Sequence, residues 1–239
     1  MNILHINGSP RGENSHTLLL AEAFLRGLGG STETVTLSKC RIAPCNGCMQ
    51  CWAADRGSCV FRDDMDFIIE KIMAADVIIE SFPLYYFGMP AIMKGFTDRT
   101  FCLMRPYLGQ DLGAGQCSFQ TPRDARLLSK KLVLISSCGY TDATMIFDAL
   151  LKQYDLLCHG RNYTPLLFPQ GQLLRVEQLS PQRRRLCALL EEAGQRFAQD
   201  LSVSEEMRTA LQKPLVDPRV YALIAKAHWD SLAAKEDAT

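Results

Sequence analysis

The sequence has no excess of charge of either sign. It contains 26 lysines and arginines against 26 aspartates and glutamates, so bulk electrostatics favour neither nucleic acid nor a membrane surface as a partner. It also lacks any apolar run approaching the roughly 18 residues of a membrane-spanning helix. The first residues, Met1 to Gly8, lack the basic segment and apolar stretch of a secretory signal. We therefore expect a soluble cytoplasmic protein.

Cysteine, by contrast, is abundant. The 239 residues include ten cysteines. In a reducing cytoplasm they are expected to be metal ligands, redox groups or small buried hydrophobes rather than disulfides. Six of them have no ligand-like spacing and are predicted to pack as hydrophobes: Cys40, Cys102, Cys117, Cys138, Cys158 and Cys187.

Apolar strand patterns alternate with helical patterns. Strands are predicted at Asn2–Ile6, Thr32–Leu37, Asp76–Phe82, Leu132–Ser137 and Tyr163–Leu167. Helices are predicted at Thr17–Leu28, Met65–Ala74, Pro90–Cys102, Ala143–Leu157 and Pro181–Leu201. Continuous apolar runs at 77–79 and 132–135 are typical of parallel strands buried on both faces. We predict an α/β fold with a doubly wound, five-stranded parallel sheet in the order 2-1-3-4-5.

This pattern predicts one domain over residues 1–201 and a C-terminal helical extension over 202–239. The extension contains two helical patterns, Ser204–Gln212 and Pro218–Leu232, separated by prolines. A long connection at 105–131 is a candidate binding loop or lid, because compact domains rarely contain such loops without a function.

The loop after the first strand has the composition of an anion site. It carries hydroxyl, amide and charged donors and runs into a helix N-terminus, whose amides lack intrahelical partners. It is neither a Walker loop nor a dinucleotide fingerprint, and it suits a terminal phosphate monoester. The alternative is a helix-capping turn without a ligand. The candidate phosphate-binding residues are Ser9, Arg11, Asn14, Ser15, His16 and Thr17.

Two further loops follow strands that the predicted order places beside the first. The loop after the third strand presents aromatic side chains between prolines and a glycine, as a flat ring requires. The alternative is a hydrophobic loop packed into the core. The loop after the fourth strand offers small residues, of which Gly139 permits close backbone approach. The candidate ring-binding residues are Pro83, Leu84, Tyr85, Tyr86, Phe87, Ser137 and Gly139.

These three loops resemble those of the flavodoxin-like NAD(P)H-dependent FMN reductase family. The first contains Gly-Ser-Pro-Arg followed by Asn-Ser, and the second contains Pro-Leu-Tyr, then Met-Lys and Asp-Arg. The resemblance covers roughly residues 1–200. It implies a flavodoxin-like fold, FMN with its phosphate in the first loop and its ring against Pro83–Tyr85, and NAD(P)H as a possible electron donor. It also implies that Asp98 and Arg99 anchor the following helix rather than act in catalysis.

Four cysteines follow the second strand with the spacing C-x2-C-x2-C-x7-C. Three thiols placed three residues apart can surround one face of a compact loop, as an iron–sulfur cluster requires. The run resembles that of the iron–sulfur flavoproteins, a branch of the same family. That resemblance implies that Cys45, Cys48, Cys51 and Cys59, in loop 45–59, bind a [4Fe–4S] cluster. Loop thiols without a metal, or a zinc site, remain the alternatives.

These features predict an FMN-dependent oxidoreductase of the iron–sulfur flavoprotein type, which passes electrons to or from a small-molecule or protein redox partner. The alternatives are a cluster-free NAD(P)H-dependent FMN or quinone reductase and a flavodoxin-like electron carrier. Apolar side chains near the site, such as Trp52, Tyr86 and Phe87, predict a homo-oligomer that covers them.

Overall fold

Strands and helices alternate through the computed structural model, which describes residues 1–53, 57–106, 121–158 and 163–236. The strands are β1 (Asn2–Asn7), β2 (Ser31–Thr36), β3 (Val77–Pro83), β4 (Lys131–Ser137) and β5 (Tyr163–Phe168). The helices are α1 (His16–Leu28), α2 (Gln50–Ala53), α3 (Met65–Ala74), α4 (Ala91–Arg99), α5 (Arg126–Ser129), α6 (Asp148–Leu157), α7 (Ser180–Asp200), α8 (Glu205–Leu211) and α9 (Pro218–Glu236). Short 3-10 turns lie at Gly12–Asn14, Leu37–Lys39, Thr100–Leu103, Gly171–Arg175 and Glu177–Leu179.

The five strands form one parallel sheet in the order β2-β1-β3-β4-β5, which confirms the predicted order. The inner strands β3 and β4 bury apolar side chains such as Ile79 and Val133 completely. The edge strand β2 exposes its first four residues, which are polar and discourage pairing with another chain. Because the strand order reverses between β1 and β3, their carboxyl ends open a crevice at one edge of the sheet.

Helices cover both faces of the sheet, and each face has its own core. On one face, Phe24 of α1 and Phe197 of α7 pack against the sheet. On the other, Ile68 of α3, Phe96 of α4 and Leu150 of α6 do the same. The sheet is therefore buried on both sides, which explains why its inner strands are apolar at almost every position.

Helices α1 and α7 meet through their backbones. A Cβ atom at Gly27 would lie 1.9 Å from the carbonyl oxygen of Glu191, and one at Gly194 would lie 2.2 Å from that of Phe24. Any larger residue at either position would push the helices apart. This contact holds α1 in place, and its N-terminus faces the crevice.

The bounds of most elements agree with the predicted ones within two residues, and three helices differ by more. Helix α9 ends at Glu236 rather than Leu232. Helix α4 ends at Arg99 and continues as a 3-10 turn. Helix α6 begins at Asp148 rather than Ala143, because Asp142 accepts a hydrogen bond from the Thr144 amide and Met145 has a left-handed φ of 61°. Residues 107–120 of the predicted long loop lie outside the described residues. None of the described helices is long and apolar enough to cross a membrane.

Candidate functional site

Three loops meet at the carboxyl edge of the sheet. The amide of Gly8 donates to Ser81 O at 2.8 Å, and the amide of Leu84 donates to Ser137 O at 2.8 Å. The hydroxyls of Thr17 and Ser137, 120 residues apart, share a buried hydrogen bond of 2.6 Å. The loops after β1, β3 and β4 are thereby tied together, as the sheet order predicts.

The first loop is held by its own polar side chains. Asn7, which is fully buried, accepts from the Ser9 amide at 3.2 Å and donates to Gly12 O at 3.1 Å. Ser15 is the N-cap of α1, and its hydroxyl oxygen accepts from the Leu18 amide at 3.3 Å. Ser15, one of the residues predicted to bind the anion, is thus also the residue that caps α1. The other backbone amides in the first turn of α1 have no partner within the helix, and they lie at the end of α1 that faces the cleft.

A cleft of about 230 Å³ lies between these loops. Its walls contain every candidate flavin residue except Asn14, Tyr86 and Phe87: Ser9, Arg11, Ser15, His16, Thr17, Pro83, Leu84, Tyr85, Ser137 and Gly139. It is also lined by Cys138, Gly171 and Gln172, which the sequence analysis missed. Gly171 and Gln172 follow β5, so extending the carboxyl-end rule by one strand would have found them.

His16 joins the first loop to the segment after β5. Its Nδ1 lies 3.1 Å from Gly171 O, and because a carbonyl only accepts, Nδ1 carries the proton. Partial burial, followed by the charge of Arg11, lowers the pKa of His16 below its usual value. The neutral ring therefore presents Nε2 as an acceptor, and donation to a phosphate would require a second proton, which the phosphate's negative charge favours.

The lip of the cleft is a strained two-residue turn. Tyr85 and Gly88 exchange both backbone hydrogen bonds at 3.0 Å. The central residues, Tyr86 and Phe87, have φ of 47° and 66°, values that type I′ turns usually assign to Asn or Gly. Tyr86 is 97% exposed, and Phe87 stacks on Tyr140 with ring centroids 5.8 Å apart. Both aromatic rings lie at the rim rather than in the walls.

A second, smaller cavity lies in the cysteine loop. It measures about 70 Å³, and its lining includes all four predicted ligands, Cys45, Cys48, Cys51 and Cys59, together with Phe61 and Phe101. Burial, and then the neighbouring Cys59, Cys48 and Cys45, raise the pKa of Cys51. In the part of the chain that the structure describes, no group of three or more Cys, His, Asp or Glu side chains has a geometry for holding a metal ion.

The loop around this cavity is held from outside by two arginines. Arg99, whose side chain is fully buried, makes a two-pronged ion pair with Asp63 at 2.7 and 3.0 Å and donates to Ala43 O at 2.7 Å. Arg123 donates to Cys51 O at 3.1 Å and to Cys102 O at 3.0 Å. Burial favours a higher pKa for Asp63, but its hydrogen bonds, first that from Arg99, leave the pKa below the usual value. Arg99 therefore joins the end of α4 to the segments on either side of the cysteine loop, and its predicted role in anchoring the helix that follows the Pro-Leu-Tyr loop stays a prediction.

Trp52 does not form the apolar surface that its sequence position suggested. Its ring stacks on Phe101 with centroids 4.2 Å apart, because the short helix α2 turns it inward. Its Nε1 and the Nε of Arg99 are buried donors without a hydrogen-bond partner among the described residues. Two unpaired donors beside a cavity of thiols are expected to be costly unless a further acceptor is present.

Helix α4 contacts the segments that lie beside the two cavities. At its start, Met93 packs so closely on Gly8 of the first loop that a Cβ there would lie 2.6 Å from the Met93 sulfur. At its end, Arg99 forms the ion pair with Asp63 beside the cysteine loop. Six residues of helix separate these contacts by about 9 Å along the axis. A displacement of α4 would therefore disturb both sites.

A larger cavity of about 720 Å³ lies on the α4–α6 face of the sheet. Burial raises the pKa of Glu80 in its wall to about 7, and the Tyr154 hydroxyl donates to this carboxyl. Met104 and Pro122, which flank residues outside the described part of the chain, complete the wall. We assign the functional site to the cleft, where the loops of three strands converge.

Comparison with known proteins agrees with this geometry. Residues 1–155 match the family Flavodoxin_2, described as having the flavodoxin-like fold. An iron–sulfur flavoprotein of Methanosarcina thermophila is 41% identical over 107 residues, which cover 44% of this chain and 55% of that protein. An FMN-dependent NADH:quinone oxidoreductase of Colwellia psychrerythraea is 35% identical over 74 residues, covering 31% and 32% of the two chains.

Among solved structures, an NAD(P)H:quinone oxidoreductase from Methanothermobacter marburgensis superposes with a TM-score of 0.59 at 19% identity. The superposition covers 82% of this chain and 96% of the chain in that structure. This likeness establishes the fold alone. The chain spans about half the length of the iron–sulfur flavoproteins it matches.

Proposed function

The chain belongs to the Flavodoxin_2 family of flavodoxin-like proteins, and we propose that it is an FMN-dependent oxidoreductase of the iron–sulfur flavoprotein type. One observation carries the proposal: ten of the thirteen candidate flavin residues line one cavity and all four candidate cysteines line another. The same helix, α4, contacts the segments beside both cavities, through Met93 on Gly8 and Arg99 on Asp63. The names of the relatives, which include iron–sulfur flavoproteins and an FMN-dependent NADH:quinone oxidoreductase, support it.

The residues of the cleft fit FMN. The N-terminus of α1 supplies amide donors and a favourable dipole for the phosphate, and Ser15 and Arg11 add a hydroxyl and a positive charge. The Pro83–Tyr85 segment offers a rigid backbone for the face of the ring. Gly139 offers a wall without a side chain for its edge.

The residues of the smaller cavity fit an iron–sulfur cluster. The donor set consists of four thiols that line one cavity, and thiolates are the ligands that such clusters use. The described residues contain no group of three or more Cys, His, Asp or Glu side chains placed to hold a metal ion, so the fit rests on the donor type and on the shared cavity. The unpaired Arg99 and Trp52 donors lie beside the loop, and hydrogen bonds near cluster sulfurs tune their potentials.

When bound, FMN supplies two-electron chemistry and the cluster supplies one-electron chemistry, so the pair connects hydride donors to single-electron partners. The protein's own residues bind and orient the two groups. NAD(P)H is the proposed donor, and the proposed acceptor is a small molecule or a redox protein. No side chain is assigned as a general acid or base, because the chemistry is that of the flavin.

A cluster-free NAD(P)H-dependent FMN or quinone reductase is the second candidate. The lack of a metal-holding group among the described residues favours it. In this reading the four cysteines are loop thiols, and only the cleft is functional.

Anaerobic reconstitution separates the two candidates. The first requires about four irons and four acid-labile sulfides per chain, together with bound FMN. Cys48→Ala should then abolish the broad visible absorbance of the cluster and retain the FMN bands, because the cleft is a separate cavity. Cys40→Ala is the matched control: Cys40 lies five residues before the first ligand, where its thiol contacts Thr36 O, and both chromophores should remain.

Near-zero iron in the reconstituted wild type would end the cluster proposal and leave the FMN reductase. A protein that binds FAD in preference to FMN would contradict both candidates.

A further inference from the structure

The C-terminal extension reaches the cleft through one side chain. Tyr221 of α9 is only 4% exposed, although most of its helix is open to solvent. Its hydroxyl donates to Gly139 O in the loop after β4 and contacts the side-chain amide of Gln172 in the loop after β5. Gly139 and Gln172 both line the cleft.

These contacts determine the orientation of the Gln172 amide. The carbonyl of Gly139 can only accept, so the single hydroxyl proton of Tyr221 goes to it. The same hydroxyl must then accept from Gln172, which leaves only Nε2 as the donor. The Oε1 of Gln172 is thereby directed away from Tyr221, and it lies 3.1 Å from the position of a Cβ on Gly139.

A second contact docks the extension on the same two loops. The fully buried Gln170 exchanges hydrogen bonds of 3.0 Å with the backbone of Val216 in both directions. Its amide also donates to Thr141 O at 3.2 Å. The segment before α9 is therefore fastened to the loops after β4 and β5, which brings Tyr221 to its position.

We infer that Gln172 is a flavin-contacting residue of this chain and that Tyr221 is the positioning residue that orients it. The inference rests on the proposed function. In the cleft, Gln172 Oε1 is an acceptor for a flavin donor, either a ribityl hydroxyl or the ring N–H. Both residues lie beyond residue 155, where the family match ends, so this wall of the cleft is built by the part of the chain outside that match.

Fluorescence titration of the full-length apoprotein with FMN tests the inference. Gln172→Ala and Tyr221→Phe should each weaken FMN binding by about three- to tenfold, the loss expected for one hydrogen bond. The double variant should lose no more than the weaker-binding single variant, because both changes remove the same contact. If either variant instead weakened binding through a packing defect, the losses of binding free energy in the two single variants would add in the double variant.

Tyr163→Phe is the matched control. Its hydroxyl lies 2.9 Å from Asp155 Oδ1 and 3.2 Å from Leu151 O, both acceptors for its one proton, on β5 away from the cleft. It should cost stability in urea unfolding without changing FMN affinity. Gln172 is exposed, so Gln172→Ala is expected to fold. If Tyr221→Phe fails to fold, Gln172→Ala alone decides the outcome.

If wild type binds FMN and the dissociation constant of Gln172→Ala is within about twofold of the wild-type value, the inference is overturned and the proposed function stands. Independent, multiplying losses in the double variant would also overturn it. Wild type that fails to bind FMN would overturn the proposed function and, with it, the role of Gln172.

Discussion

Arg11 and Ser15 supply two kinds of contact at the head of the cleft. Arg11→Ala with Ser15→Ala should remove one charge-assisted and one neutral phosphate contact. At about 1.5–3 kcal/mol for the first and about 1 kcal/mol for the second, FMN binding should weaken on the order of 100-fold. Fluorescence titration of the apoprotein measures this loss. An unchanged dissociation constant would remove the first loop from the flavin site.

The Ser15 change also deletes a helix cap, so a control for stability is needed. Ser204 caps α8 in the same way, and its hydroxyl accepts from the Met207 amide at 3.2 Å. Ser204→Ala should cost about 1 kcal/mol of unfolding free energy, as Ser15→Ala does, and should leave FMN binding unchanged.

His5 makes the protein sensitive to acid. It is 1% exposed, hydrogen-bonded to Ser81 at 2.8 Å, and its burial lowers its pKa from 6.5 to about 4. Between these pH values the unfolded chain binds a proton that the folded chain does not, so folding free energy is lost as the pH falls. The full loss is about 3 kcal/mol.

Comparison with His5→Gln isolates this effect. Burial raises the pKa of Glu80 to about 7, which has the opposite effect. The stability that Glu80 contributes is present below the usual carboxyl pKa and is lost as the pH rises through 7. The unfolding free energy of wild type minus that of His5→Gln should fall by about 3 kcal/mol between pH 7 and pH 4. A constant difference, measured by urea unfolding, would mean that His5 titrates normally in the folded protein.

At the scale of elements, the turn at 85–88 lowers the stability of the fold because Tyr86 and Phe87, the aromatic residues at the lip of the cleft, have left-handed backbone conformations. Left-handed conformations cost a non-glycine residue of order 1 kcal/mol or more, and both Tyr86 and Phe87 adopt one. Tyr86→Asn with Phe87→Gly should raise the free energy of unfolding by roughly 1–2 kcal/mol. If the lip covers the flavin ring, the same variant should bind FMN more weakly.

Met145→Gly provides the comparison for that experiment. Met145 is also left-handed and 76% exposed, but it lies in the turn before α6 rather than at the cleft. Its replacement should stabilise the apoprotein with no change in FMN affinity. A turn variant that binds FMN as tightly as wild type would exclude Tyr86 and Phe87 from the flavin site.

At the scale of the whole molecule, the aromatic lip predicts self-association. Tyr86, Phe87 and Tyr140 are 97%, 42% and 43% exposed and form one aromatic group beside the cleft. We expect a homo-oligomer in which a second copy covers this group. Light scattering at micromolar concentration should give a multiple of the 26.7 kDa chain mass.

Tyr86→Ser with Phe87→Ser should lower that mass, since it removes the proposed contact. Trp229→Ser, which removes a 66% exposed aromatic ring from α9, should not. A monomeric wild type, or a lip variant with the wild-type mass, would contradict the proposed interface.

The sequence by itself determined what depends on neighbours along the chain. Continuous apolar runs identified β3 and β4, and the alternation of strand and helix patterns predicted a doubly wound parallel sheet, for which the flavodoxin order was the expected one. The carboxyl-end rule then placed the loops after β1, β3 and β4 together, where the cleft is found. Periodicity and turn chemistry act within a few residues, so they can be read without the fold. That the cleft binds FMN and the cysteines a cluster stays a prediction.

Only the tertiary structure decided which distant groups meet. Arg99 pairs with Asp63 across 36 residues, and Tyr221 reaches Gly139 across 82. Trp52 turned inward to Phe101, and Asn14 lies outside the cleft walls although the next residue, Ser15, lines them. No local pattern contains these pairings, because they arise from how whole helices and strands pack against one another and bring remote segments of the chain into contact.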